Sequence, residues 1–364
     1  MIINRYIQRS IHLGTLGALL LLVSLSLFFL MVRELDDLGG GYGLRQMFEY
    51  IALRTPGIIV EFMPLAVLLG SMLSLGTLAG NSEIIALQAS GVSLFRLLAA
   101  VLQAALVLAL ISFLLADWVV PDSETGASRL KSGAQETTTA LQSGEGLWIK
   151  DGTRVVHVQA LLPNGYARDI EIFQLDQSGK LVATLRAAHA VPIGQGWELQ
   201  QVEQSIIASP AVATRYFERL IYEGRLSPEL LQVLMIEPRK MSSMDLQAYL
   251  SFLDENRLDS RVEKLIFWKK ILAPLTIVIM CLLALPFVLG SQRQSSGGQR
   301  LLIGILLGLA FVVADRLLTQ LGIQLAFNSL VVALLPNLLF LSLAIFLLIK
   351  KQSHSVGLFA GRQR

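Results

Sequence analysis

The sequence predicts an α+β membrane protein: six transmembrane helices with an antiparallel β domain inserted between the third and the fourth. Three observations predict it. The chain of 364 residues is 54% hydrophobic and only 16% charged, with a mean hydropathy of +0.60, whereas soluble domains carry about 25% charged residues. Its apolar residues gather into uninterrupted runs near both ends. Between those ends, from Val119 to about Ser260, apolar and polar residues instead alternate at period two between Gly, Asn and Asp turns. A net charge of +3 spread along the chain leaves no basic patch for nucleic acid.

Each element follows from its local pattern. Leu13 to Val32 run without a charge, long enough for the roughly 30 Å hydrocarbon core. Arg5 and Arg9 precede this first span and place its start in the cytoplasm. The run exceeds a signal-peptide h-region and no small-x-small cleavage site follows, so it is read as a retained span. The cluster Gly39-Gly40-Gly41-Tyr42-Gly43 lacks the strand, spacing and lysine of a phosphate loop and reads as a turn. Gly57 to Gly80 is the second span, interrupted by Glu61 and Pro64, and Leu97 to Ala116 is the third, with Asp117-Trp118 at its interface end.

Between spans two and three lies a short helix, about residues 81–91, too polar and too short to cross a bilayer. Asn81 or Ser82 is expected to cap it, Glu83 lies in its first turn where the helix dipole favours a negative charge, and Gly91 stops it before Ser93 caps the next helix. Ile84, Ile85, Leu87 and Gln88 are spaced as one greasy face with a polar margin, suited either to a partner's groove or to the membrane surface.

Strands are expected over 146–151, 154–158, 169–173, 180–185, 197–204 and 214–222, enough for a sandwich or jelly roll. Ser242 or Ser243 caps an amphipathic helix to about Glu255. Ile271 to Gly290, Leu301 to about Leu321 and Leu330 to Ile349 are spans four to six, so both ends are cytoplasmic. Arg96, Arg293, Arg300, Lys350, Lys351, Arg362 and Arg364 support that orientation, while Lys269 and Lys270 on the outer side run against it. The division is therefore 1–120 for the first three spans, 121–260 for the β domain and its connecting helix, 261–351 for the last three spans and 352–364 for a tail.

Catalytic chemistry is absent from the pattern. There is no Walker loop and no His-Glu-x-x-His, and His12, His157, His189 and His354 are too scattered for a metal site. The one cysteine, Cys281, sits in an apolar run as a small core residue. The chain by itself is not expected to hydrolyse nucleotides or to hold a cofactor or metal.

Over nearly its whole length this organisation resembles the LptF/LptG permease family, which exports lipopolysaccharide. The residues that carry the resemblance are Pro64-Leu65-Ala66-Val67-Leu68-Leu69-Gly70, Ser82-Glu83 with Ala89-Ser90-Gly91, Trp118-Val119-Val120-Pro121, Phe267-Trp268-Lys269-Lys270 through Pro274-Leu275, and Asp315. Gly146-Leu147-Trp148-Ile149-Lys150-Asp151-Gly152 looks more like the LptG than the LptF branch. The resemblance implies a non-catalytic permease of the bacterial inner membrane with a periplasmic β-jellyroll. Its implied partners are an LptF-like permease, an LptB-like ATPase dimer using ATP and Mg, and LptC- and LptA-like jellyroll proteins that receive the lipid. The short helix then becomes the coupling helix, with Ser82, Glu83, Ile84, Ile85, Leu87 and Gln88 as its ATPase contact.

A multi-chain phosphorylated lipid needs an apolar chamber rimmed by cations near the outer interface. Phe28, Phe29, Phe62, Leu309, Phe311 and Val312 are the candidate lining; ordinary helix packing or lipid contact accounts equally for each of them. The family's basic cluster at the outer end of span one is here Arg33 followed by Glu34, Asp36 and Asp37, a departure that weakens a phosphate clamp. Arg129 and Lys131 match a second basic site of the family approximately. Asp315, beside Arg316 in span five, is expected to be structural or gating, because intramembrane ionisable groups face a cavity or a partner. Two rival functions are a proton-coupled secondary transporter, which needs an internal repeat and broken helices, and a mechanotransmission subunit acting on a periplasmic partner.

Overall fold

The computed structural model describes residues 2–39, 42–134, 147–151, 153–161, 166–176, 179–193, 196–208, 211–222, 238–255, 259–288 and 297–360. The helices are α1 (Ile2–Leu35), α2 (Leu44–Gly80), α3 (Glu83–Ala89), α4 (Leu94–Leu114), α5 (Val120–Ala134), α6 (Ser243–Glu255), α7 (Arg261–Val288), α8 (Gly297–Gln324) and α9 (Ser329–Ala360). Among the described residues six helical stretches are long and apolar enough to cross a membrane, contributed by α1, α2, α4 with its continuation into α5, α7, α8 and α9. The strands are β1 (Leu147–Asp151), β2 (Arg154–Leu161), β3 (Ala167–Leu175), β4 (Leu181–Ile193), β5 (Gly196–Ala208) and β6 (Ala211–Tyr222). Two compact units result: Met1–Arg33, Ile51–Ser123 and Arg261–Arg364 form one, Glu34–Tyr50 and Glu124–Ser260 the other.

In the helical unit α2 and α7 are central. Met63, Val67, Leu75 and Leu78 of α2 meet Ile277, Cys281 and Leu285 of α7 and the stripe Leu97, Ala100, Val101, Ala104, Ala105, Leu108 of α4. That stripe repeats at helical spacing, and its alanines let the backbones approach closely, the usual means of helix association in lipid. Leu68 and Met72 on another face of α2 join Ile279, Met280 and Leu283 of α7 and Phe340 and Ala344 of α9. Glycine makes two further approaches possible. Gly70 of α2 lies so near Gly14 and Thr15 of α1 that a Cβ there would overlap their backbone, and at Gly304 and Gly308 of α8 a Cβ would run into Leu69 and Leu65 of α2.

The third span does not stop at Asp117-Trp118. It passes through a π-turn, Leu115–Val119, and continues as α5 to Ala134. Pro121 has no N–H to donate and its ring crowds the carbonyl four residues back, that of Asp117; the π-turn widens the helix there and lets it proceed. The opening residues of the stretch expected to change character are thus helical. Likewise α9 runs on through Ala360, so most of the expected tail is helix. Gly40, Gly41, Gly146, Gly152, Gly290, Arg293, Arg362 and Arg364, which entered the expectations, lie outside the described residues.

In the other unit the six strands form one antiparallel sheet in the order β1-β2-β3-β4-β5-β6. Every expected strand is present, most of them longer than the pattern foretold. All pairings join sequence neighbours, so the described residues form a meander. Register follows from the alternation: Val156 faces Ile172 and Val158 faces Ile170, Ile172 faces Leu185 and Ile170 faces Ala187, and all are buried on one face. Phe252 and Leu253 of α6 cover that face. Ser242, not Ser243, caps α6, its Oγ accepting from the Asp245 N–H at 3.1 Å and donating to the Asp245 carboxylate at 2.6 Å.

Candidate functional site

The connection from α2 to α4 is built by backbone geometry. After α2, Ser82 takes a left-handed conformation (φ 60°) and no side chain caps α3. The expected cap by Asn81 or Ser82 is therefore absent. Asn81 Nδ2 instead donates to Glu83 Oε1 at 3.3 Å, and the Ser82 carbonyl accepts from the Ala86 N–H. At the other end Val92 N–H reaches the Leu87 carbonyl and Gly91 N–H the Gln88 carbonyl, the paired bonds of a Schellman stop. Gly91 supplies the positive φ (91°) that this requires. Ser93 caps α4 as expected, accepting from the Arg96 N–H at 3.3 Å.

The four residues read as one face of α3 divide in two. Ile84 is buried and Leu87 packs beside it against the helical core, whereas Ile85 is 64% exposed and Gln88 is exposed as well. The reason is that 84 and 87 share one side of the helix and 85 and 88 the next. Phe95, in the first turn of α4, is 82% exposed and went unnoticed in the sequence, where a Phe beside a span is unremarkable. Ile85 and Phe95 are the large apolar side chains that this connection leaves exposed. Glu83 is held from two sides, by Asn81 and by the Tyr6 hydroxyl of α1, which donates to Oε2 at 2.7 Å.

The barest of the spans are α1 and α8, in each of which only 11% of the most apolar window is buried, against 61% for α2. Phe28 and Phe29 stand exposed on α1, edge to face at 5.8 Å, and Leu309 and Val312 are exposed on α8. Phe62 of α2 is half-buried. Phe311 departs from the expected lining: its ring packs at 5.1 Å on Phe340 of α9 and so faces the core.

The basic candidates also part company. Lys131 donates to both oxygens of the buried Glu34, at 3.0 and 3.1 Å, and to Asp37 at 2.8 Å, and lies over the Tyr50 ring. An ammonium so occupied is a clasp, not a free phosphate ligand. Tyr42 completes the clasp by donating to Glu34 at 3.0 Å, and burial, then that carboxylate, pushes its phenol well above the usual range. The acids that follow Arg33 thus have a structural task. Arg33 and Arg129 are exposed and form no ion pair among the described residues.

Asp315 finds the partner that the sequence did not disclose. Lys269 of α7 donates to both of its oxygens at 2.8 and 2.7 Å and to Thr319 at 2.6 Å. Lys270 pairs in turn with Asp117 at 3.3 Å. The two lysines that ran against the charge tally are each matched by an acid on another helix. Arg316 is exposed. Arg300, counted for its charge alone, is buried at the start of α8 with Nη1 donating to the Gly76 carbonyl of α2. His157 stacks on Trp148 at 4.2 Å in the sheet, and no group of metal-ligating side chains occurs among the described residues.

Fold and site together define a class: a polytopic membrane protein with an inserted antiparallel β domain and a short helix, closed by a Schellman stop, between its second and third spans. The family model of the lipopolysaccharide export system permease LptF/LptG matches residues 5–350, and the chain belongs to that family. It is 32% identical over 354 residues to the lipopolysaccharide export system permease protein LptG of Haemophilus influenzae, covering 96% of this chain and 99% of that one. The LptG protein of Escherichia coli K12 is 30% identical, covering 96% and 98%. The LptF protein of the same organism is more distant, 22% identical over 353 residues, covering 95% and 94%.

Proposed function

We propose that the chain is the permease subunit of an ABC transporter that extracts lipopolysaccharide from the bacterial inner membrane and passes it to a periplasmic bridge. Family membership supports the substrate, and relatives named LptG match more strongly than those named LptF. The observation that carries the mechanism is the α2–α4 connection: a chain with no phosphate loop holds out Ile85, Gln88 and Phe95 on a helix end-stopped at both sides. We assign this surface, with Ser82 and Glu83 at its margin, to an LptB-like ATPase dimer, which supplies ATP and Mg chemistry.

The bare faces of α1 and α8 then form one side of an acyl-chain chamber, closed by an LptF-like permease. Phe28, Phe29, Phe62, Leu309 and Val312 supply its lining, and Arg33 meets a lipid phosphate at its outer rim; Arg129, in the other unit, is a second candidate phosphate ligand. The β domain lies in the periplasm, both termini in the cytoplasm, and LptC- and LptA-like proteins extend the β path. Asp315, paired with Lys269 between α7 and α8, serves the bundle or its gate. Both Asp315 oxygens are occupied by the Lys269 ammonium, which favours a structural pair and an ATP-driven permease over a proton carrier.

Ile85→Asp tests the docking surface. Its insertion of a charge into an apolar groove is expected to release the ATPase while the membrane fold survives. Retention of the ATPase at wild-type yield refutes the assignment. Lipid release from vesicles by the complete complex, dependent on ATP and indifferent to a proton gradient, separates export from both rival functions.

A further inference from the structure

The α2–α4 connection is joined to the helical bundle by two kinds of contact. Ile84 and Leu87 pack into the core shared with α1, α2, α4 and α7, and such apolar contacts permit sliding because hydrophobic burial is non-directional. Hydrogen bonds fix position instead, and two of them flank the connection. Tyr6 of α1 donates to Glu83 in the first turn of α3 at 2.7 Å. Arg300 of α8 donates to the carbonyl of Gly76, four residues before the end of α2. The place for its guanidinium is made by glycine: a Cβ at Gly76 would stand 2.8 Å from Arg300 Cδ, and one at Gly80 3.7 Å from Nη1. Arg300 is buried, so its position is set by the surrounding helices.

We infer that Tyr6 and Arg300 are positioning residues that tie this connection to α1 and α8, the two spans whose apolar windows are least buried, so that a push on α3 reaches both of them directly. The inference rests on the reading of α3 as an ATPase contact and deepens it. Without the ties, a displaced α3 slips over its apolar neighbours and less of the push reaches α1 and α8. ATP is then consumed with little movement of lipid.

The test uses the full complex of this chain with its permease partner and ATPase, reconstituted in vesicles containing lipopolysaccharide, with phosphate release and lipid transfer measured together. Tyr6→Phe deletes one hydroxyl, Gly76→Ala crowds Arg300 from the opposite side, and Arg300→Met removes the donor. Each is expected to keep the ATPase bound and to lower lipid moved per ATP by about three- to tenfold, the scale of one ordinary net hydrogen bond. Arg300→Lys, which keeps a donor for the carbonyl, recovers most of the loss. Tyr6→Phe combined with Gly76→Ala falls below either alone. An unchanged ratio in both Tyr6→Phe and Gly76→Ala overturns the inference even if Arg300→Met does not fold. So does loss of the ATPase from Tyr6→Phe, which makes the tyrosine part of docking. Failure of the underlying reading shows separately, as an Ile85→Asp complex that keeps its ATPase.

Discussion

Replacing Lys269 by methionine keeps the length of the side chain and leaves Asp315 charged without its partner. The ammonium sits 2.7 to 2.8 Å from both carboxylate oxygens, and the two side chains are 30% and 29% exposed. At such a separation, with an effective dielectric of about 20, the gross attraction is about 6 kcal/mol. Desolvation of both ions offsets most of it. Exposed pairs are worth about 0 to 1 kcal/mol, and orphaning one member of a fully buried pair costs about 3 to 5 kcal/mol. With nearly a third of each side chain accessible, Lys269→Met is expected to cost about 2 kcal/mol, discounted from the buried limit. Asp315→Leu orphans Lys269, whose long stem reaches the interface, and should cost about 1 kcal/mol. The double variant removes both charges, so its cost falls below the sum of the two by about 1 kcal/mol or more. Equilibrium unfolding of the purified chain in mixed micelles, run as a double-mutant cycle, reads this coupling. Strict additivity, within about 0.5 kcal/mol, would show that the pair does no work in holding α7 to α8.

Two further outcomes follow from the geometry. Gly70→Ala places a Cβ against the backbone of Gly14 and Thr15, which cannot swing aside as a side chain can, so α1 must move away from α2 at a cost of about 1 to 3 kcal/mol; a wild-type melting temperature contradicts this. Lys131→Gln leaves Glu34, only 4% exposed, without its cation and is expected to lower stability by about 2 kcal/mol, whereas Arg33→Gln with Arg129→Gln leaves the melt unchanged and lowers photo-crosslinking to lipopolysaccharide; the reverse pattern would return Lys131 to the phosphate rim.

The sequence by itself determined the spans, the six strands and the stopped helix between spans two and three. Each is written in local periodicity: the long charge-free runs, the alternation of Val156, Val158, Ile170 and Ile172, and the Gly91-Val92-Ser93 stop. Such features need no knowledge of what lies across the fold. One boundary is nonetheless misread locally, since Asp117 and Pro121 look like the end of a helix until a π-turn absorbs the proline.

What only the tertiary structure decided is the state of the charged and apolar side chains at the site. Lys131 reads as a phosphate ligand until Glu34 and Asp37, nearly a hundred residues earlier, close on it. Lys269 reads as an exception to the charge tally until Asp315 supplies its counterion. Ile84 and Ile85 are equivalent in composition, and only packing sends one into the core and leaves the other exposed. Phe311 is drawn inward by Phe340 while Leu309 and Val312 remain outside. Ion pairs and burial depend on distances between residues far apart in the chain, and periodicity along one segment carries no information about them.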